Sequence, residues 1–212
     1  LRLPYSPSVD VRSYVNVAHL MEKYGLGPNG AQVMAADLIA DEIDEISKEI
    51  EDLKSDIVLV DTPGQMELFA FRISGPYIAN ELTEEPKATV YLFDAVFSAD
   101  PLNYVSNLFL SAAVHNRFLV PQIHLLSKCD LLPRKKVRRI LAWSADGEAL
   151  ENAIEQELEG TKRLLSRNMM HSIYELGLEF LLVPVSAKTN EGMINFNAAV
   201  ERVLSRGRRY TC

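Results

Sequence analysis

Three observations predict an α/β chain with a mostly parallel sheet flanked by helices. Four short apolar runs, 57–60, 88–93, 120–126 and 180–185, are rich in Val, Ile or Leu and lack polar alternation, as strands buried on both faces do. Longer segments with helical periodicity separate them, at 66–82, 102–116, 146–176 and 191–205. Strand and helix therefore alternate, and a parallel strand needs a crossover of about helix length to reach its neighbour.

The elements follow in chain order. Leu1-Arg2-Leu3-Pro4-Tyr5 opens without Met and reads as the interior of a longer sequence, so N-terminal residues are expected to precede it. Ala36, Ile39, Ile43, Ile46, Ile50 and Leu53 recur at spacings of three and four, which makes one helical face. Asp44 with Lys48, and Lys48 with Asp52, add i,i+4 pairs. Asn29 with Gln32 three positions on reads as a capping box just after Gly27-Pro28. The acidic stretch 41–52 reads as a solvated helix face. The basic run Arg134, Lys135, Lys136, Arg138 and Arg139 follows Pro133 and reads as an exposed turn and short helix. Gly160 is expected to divide the 146–176 segment into two helices.

Composition bounds the function classes. With 212 residues, 48% hydrophobic and 24% charged, the chain fits a single domain with a real core, 1–212. Its net charge, 22 − 29 = −7, argues against a partner held through phosphate-backbone charge, so no direct nucleic-acid role is expected. No uncharged apolar run reaches the ~18 to 20 residues that span a bilayer, and no secretory h-region opens the chain. No membrane association and a cytoplasmic location are expected. Cys129 and Cys212 cannot frame a disulfide scaffold, and His19, His115, His124 and His171 show no metal-ligand spacing.

The residues that carry chemistry stand at the ends of the apolar runs. The run 57–60 leads straight into Asp61-Thr62-Pro63-Gly64-Gln65, with Glu67 beyond. A carboxylate is therefore expected at the carboxyl end of a buried parallel strand, the edge where open α/β sheets bind ligands. An Asp there supports Mg²⁺ on nucleotide phosphates, and the N–H of a following Gly meets a γ-phosphate. A plain strand-to-turn corner would use the same residue types. The run 120–126 ends in Ser127-Lys128-Cys129-Asp130, 69 positions after Asp61. A carboxylate at Asp130 accepts from both N1–H and the exocyclic amine of guanine, a pair adenine does not present, and Lys128 can lay its stem along the purine face. The run 180–185 ends in Ser186-Ala187-Lys188, 56 positions after Asp130, in a loop whose N–H groups could meet guanine O6. Alone, Ser127 to Asp130 would serve as a turn, and Ser186 to Lys188 would carry no meaning. Their order at successive strand ends is what joins them.

With Gly27-Pro28-Asn29 ahead of the long helix, these motifs make the chain resemble the GPN-loop GTPases, a family of P-loop GTPases, over essentially its whole length. The resemblance implies a P-loop NTPase-like fold and a GTP/GDP site with Mg²⁺. In it Asp61 to Gln65 is the metal and γ-phosphate motif, while Ser127, Lys128, Asp130 and Ser186 to Lys188 read guanine. Pro7-Ser8-Val9-Asp10-Val11-Arg12 corresponds to the first switch, so Asp10 joins Asp61 in the metal shell. Gln65, with Glu67, positions the attacking water. The resemblance also implies a homodimer, or a heterodimer of paralogues as in eukaryotes, in which Gly27, Pro28 and Asn29 reach the partner's nucleotide phosphates; segment 25–54 is then the loop and its helix. A tight turn before a helix would use the same tripeptide.

Two departures from the family pattern stand out. Ser127 occupies the place of the usual Asn, which removes an amide able to bridge base and phosphate loop. No G-x-x-x-x-G-K-[ST] occurs in the chain, so the first strand and phosphate loop are expected upstream of Leu1. The expected function is a GTP-binding, GTP-hydrolysing dimeric switch, a Mg-dependent GTPase when that loop is present, assisting assembly of protein complexes such as RNA polymerase. Residues 1–212 alone are expected to be inactive. The alternatives are a catalytically weak or inactive scaffold that binds a protein client, and a P-loop ATPase, against which Asp130 argues.

Overall fold

The computed structural model describes residues 3–177 and 180–208. The chain divides into two compact units, Leu1–Glu85 and Pro86–Cys212.

The first unit is helical among its described residues. Asn16 caps α1 (Val17–Tyr24) by accepting from the N–H groups of Ala18 and His19, and Gly25 ends it at φ 63°. The sequence pattern did not anticipate this helix. α2 (Pro28–Asp41) starts with Gly27 as its N-cap and Pro28 in the first turn, with no side-chain cap bond. The expected Asn29–Gln32 capping box is therefore corrected: Asn29 already lies inside the helix, and proline's fixed φ starts the turn. A break at Glu42 separates α3 (Ile43–Asp52), so the single long helix is two. The expected helix over 66–82 is likewise a 3-10 turn, Met66–Leu68, followed by α4 (Ser74–Glu81). Gly75 sits so close to Phe69 that a Cβ there would meet its carbonyl oxygen at 2.1 Å. Val15, Leu20, Ala31 and Ala35 form one buried cluster, with Met21, Leu26 and Met34 packed against it.

The segment 57–60 is not a strand. Its residues have no ladder partner, and Ile57, Val58, Leu59 and Val60 are 40 to 80% exposed. Apolar composition makes a run fit for a sheet, but only a neighbouring strand makes it one. The expectation that Asp61 ends a buried strand falls with it.

The second unit holds the sheet. β1 (Thr89–Asp94), β2 (Gln122–Ser127) and β3 (Leu182–Pro184) lie in that order, all parallel, with Asp94 opposite Ser127 and Leu126 opposite Pro184. The crossovers are α5 (Pro101–Phe118) between β1 and β2, then α6 (Arg134–Ala145), α7 (Gly147–Glu157) and α8 (Gly160–Glu175) before β3, with α9 (Met193–Arg208) last. The expected division at Gly160 is present.

Central β2 is covered on both faces, with Ile123, His124, Leu125 and Leu126 all buried. Ile123 and Leu125 pack with Val185, Val200 and Phe196, while Leu126 is fully buried and His124 lies against the rings of Phe93 and Phe180. β1 is an edge strand: Tyr91 and Phe93 are buried, Val90 and Leu92 exposed. For β1 the expected burial on both faces is therefore corrected to one face.

Candidate functional site

A parallel sheet places the carboxyl ends of its strands side by side, and here three of them converge. Ala95 N–H donates to Ser127 O at 3.0 Å, joining the end of β1 to that of β2. Cys129 N–H donates to Val185 O at 3.2 Å, joining the end of β2 to that of β3. Lys128 stands between in left-handed backbone, φ 61°.

At this edge the side chains interlock. Ser186, itself fully buried, donates its Oγ–H to Asp130 Oδ1 at 2.6 Å. The same Oγ accepts from Thr189 N–H at 3.2 Å, and Ser186 N–H donates to Glu191 O at 3.0 Å, which closes the 186–191 loop. Gly192 completes that loop at φ 79°, where a Cβ would stand 1.9 Å from Pro184 O. Asp130 remains exposed, so its carboxylate is oriented by a buried hydroxyl while facing solvent. Ala187 and Lys188 are exposed in the same loop.

Lys128 Nζ pairs with Asp94 Oδ2 at 2.7 Å. Asp94 Oδ1 also accepts from Val96 and Phe97 N–H at 2.9 and 3.0 Å. The Lys128 ammonium, with those amides, holds the Asp94 carboxyl below the usual carboxylate range. Sequence reasoning missed Asp94, although it ends an apolar run just as Asp61 and Ser127 do. Ser127 Oγ–H donates to Phe93 O at 3.0 Å, so this hydroxyl ties β2 to β1. Cys129 is buried, its Sγ against Leu126 O at 3.1 Å, and burial pushes its thiol pKa up.

The remaining site residues lie in the first unit. Tyr5 donates its hydroxyl to Asp61 Oδ2 at 2.5 Å. That bond, with the negative charges of Asp61 and Asp10, holds the Tyr5 phenol above its ordinary pKa, while Arg12 pulls it down. Asp10 caps the turn Val11–Ser13 and receives Arg12 on both oxygens, Nε at 2.8 Å and Nη2 at 2.6 Å. The guanidinium holds the Asp10 carboxyl below the usual range. Gly64, Gln65 and Glu67 are exposed around the 3-10 turn, and Gly27, Pro28 and Asn29 are exposed at the start of α2.

Among the described residues no group of three or more His, Cys, Asp or Glu side chains could hold a metal ion. Magnesium on a nucleotide needs only one or two protein carboxylates beside phosphate and water oxygens. Asp61 suits that share. Asp10, with Arg12 on both oxygens, fits only on releasing the guanidinium. No helix among the described residues is long and apolar enough to cross a membrane.

Residues 1–206 match a family model described as a conserved hypothetical ATP binding protein. The chain is 32% identical to "GPN-loop GTPase PAB0955" of Pyrococcus abyssi, over 90% of this chain and 76% of that protein. It is 31% identical to "GPN-loop GTPase QQT2" of Arabidopsis thaliana, over 95% of this chain and 53% of that one. It is 29% identical to "GPN-loop GTPase 1" of Saccharomyces cerevisiae, over 95% and 55%. The chain thus spans about half the length of the two eukaryotic relatives. Its fold is similar to the crystal structure of the P. abyssi GTPase in apo form, with a TM-score of 0.83 and 29% identity, covering 100% of this chain and 83% of that one.

Proposed function

Because the chain belongs to the GPN-loop GTPase family, we propose that it is the guanine-reading portion of a GTP-hydrolysing switch. One observation carries the reading: Ser186 and Asp130, 56 positions apart, are joined at 2.6 Å at the carboxyl edge of the sheet. That contact fixes an exposed carboxylate where a base can lie. Asp130 accepts from guanine N1–H and N2–H, Lys128 lays its stem along the base while Asp94 holds its ammonium, and the 186–188 backbone meets O6. Adenine carries no amine at C2 and no N1–H to give.

At the phosphate end the reading assigns Gly64 N–H to the γ-phosphate and Gln65 to orienting water, with Glu67 beside it. Magnesium would neutralise phosphate charge when bound, and Asp61 would hold its shell; Asp10 joins only on freeing itself from Arg12. The loop, here Gly27, Pro28 and Asn29, is proposed to act on the nucleotide of a second copy in a homodimer; the switch is further proposed to be cytoplasmic and to serve assembly of protein complexes. Replacing Asp130 with Asn tests the base assignment. GTP should bind at least about tenfold more weakly, because charge-assisted hydrogen bonds are worth ~1.5 to 3 kcal/mol each. Xanthosine triphosphate, with a carbonyl for the amine, should bind better than GTP. Unchanged GTP preference would overturn the assignment.

A second reading, a scaffold in which hydrolysis is slow, is favoured by the Arg12 clamp on Asp10. Arg12→Ala, made in a chain carrying a phosphate loop ahead of Leu1, distinguishes the two. Under the GTPase reading it changes turnover in single-turnover assays, and under the scaffold reading it leaves a negligible rate as it was.

A further inference from the structure

The basic run has no part in the nucleotide site. It forms the first half of α6, where Arg134, Lys135 and Arg138 are exposed while Ile140 and Trp143 are buried. At about 100° per residue, these three cations fall opposite Ile140, and the exposed Ala142 and Ala145 continue the same stripe. No acidic residue occurs from Arg134 to Ala145. Neighbouring arginines are paired: Arg139 with Glu157 at 2.7 Å, and Arg163 and Arg167 with Glu155. Arg139 also lies over the ring of Trp143, one turn on in the same helix, at 4.7 Å. Arg134, Lys135 and Arg138 take part in no described ion pair. Two of them, Arg134 and Lys135, stand in the first turn, where the helix dipole disfavours cations. In a chain of net charge −7 these cations do not serve α6 itself.

We infer that the solvent stripe of α6 docks an acidic helical segment of a partner protein, its carboxylates on Arg134, Lys135 and Arg138 and its apolar residues on Ala142 and Ala145. Arg134 and Arg138 are one turn apart, about 6 Å along the axis, which matches carboxylates at i and i+4 of the incoming helix. The alanines let that helix approach closely at its uncharged end. A nucleic-acid strand, uniformly charged along its length, would use only the cationic half and meet the repulsion of the negative chain.

The probe is a labelled, helix-stabilised peptide with glutamates at one i,i+4 pair and leucines in the following turns, read by fluorescence anisotropy. Binding to the wild-type chain should fall at least about tenfold in the double variant Arg134→Glu, Arg138→Glu, and likewise in Ala142→Glu. Glutamate at 134 favours the helix N-terminus, so circular dichroism should show α6 kept while binding is lost. The proposal is overturned by equal binding to wild type and variants, by no binding to wild type at about 1 mM peptide, or by tighter binding of a single-stranded oligonucleotide of equal charge.

Discussion

Asp130 is held by a hydroxyl that belongs to a different loop, so the role proposed for it rests on Ser186 as well as on its own charge. Ser186→Ala should weaken GTP severalfold while leaving the preference over ATP, and competition binding separates those two effects. Both residues were legible because each sits in a short polar motif beyond an apolar run, Ser127-Lys128-Cys129-Asp130 and Ser186-Ala187-Lys188. Asp94 was not, because its meaning lies in Lys128, 34 positions away, and nothing local marks the pair. His124 is a core residue: burial, with the charge of His115, pulls its pKa down to about 4. For a group whose folded pKa is depressed below the ordinary 6.5, the unfolded chain binds more protons between the two values. Stability should therefore be full above about pH 6.5 and decline as pH falls toward 4, by roughly 3 kcal/mol over the window. Urea midpoints measured across that range check the sign, and His124→Phe should flatten the slope. Tyr104 presents a buried hydroxyl with no hydrogen-bond partner among the described residues, and its ring lies against Trp143. Tyr104→Phe should accordingly leave stability unchanged or raise it by about 1 kcal/mol in the same melts.

At the scale of elements, the loop that follows β3 is closed by Gly192. Its positive φ and its approach to Pro184 O leave no room for a Cβ, so Gly192→Ala should shift the 186–191 loop and cost about 2 kcal/mol or more. A lowered melting temperature together with lost guanine selectivity is the expected result. The strands were read from composition with unequal success, for a physical reason. β2 is central and covered on both faces, so its apolar run was enough. The segment 57–60 has an equally apolar run, yet pairing depends on a neighbour that the run itself does not specify. The α2 start was misread because proline at the first helical position needs no side-chain cap, which left Asn29 exposed.

For the whole molecule, a loop that acts on a neighbour's nucleotide requires a two-fold pair. Asn29→Ala should lower turnover with affinity kept, and mixing with wild-type subunits should restore it. Gln65→Leu should lower turnover without such rescue, since the proposed role of that residue lies within its own subunit. Sedimentation with a GTP analogue should give a dimer. The central claim concerns the base, on which the family model's description and the names of the relatives point to different nucleotides. Titration calorimetry with GTP and ATP, on a chain carrying a phosphate loop ahead of Leu1, tests it most directly. The account predicts heat of binding for GTP and none for ATP at the same concentrations, with Asp130→Asn abolishing the difference; equal affinity for the two nucleotides would contradict it.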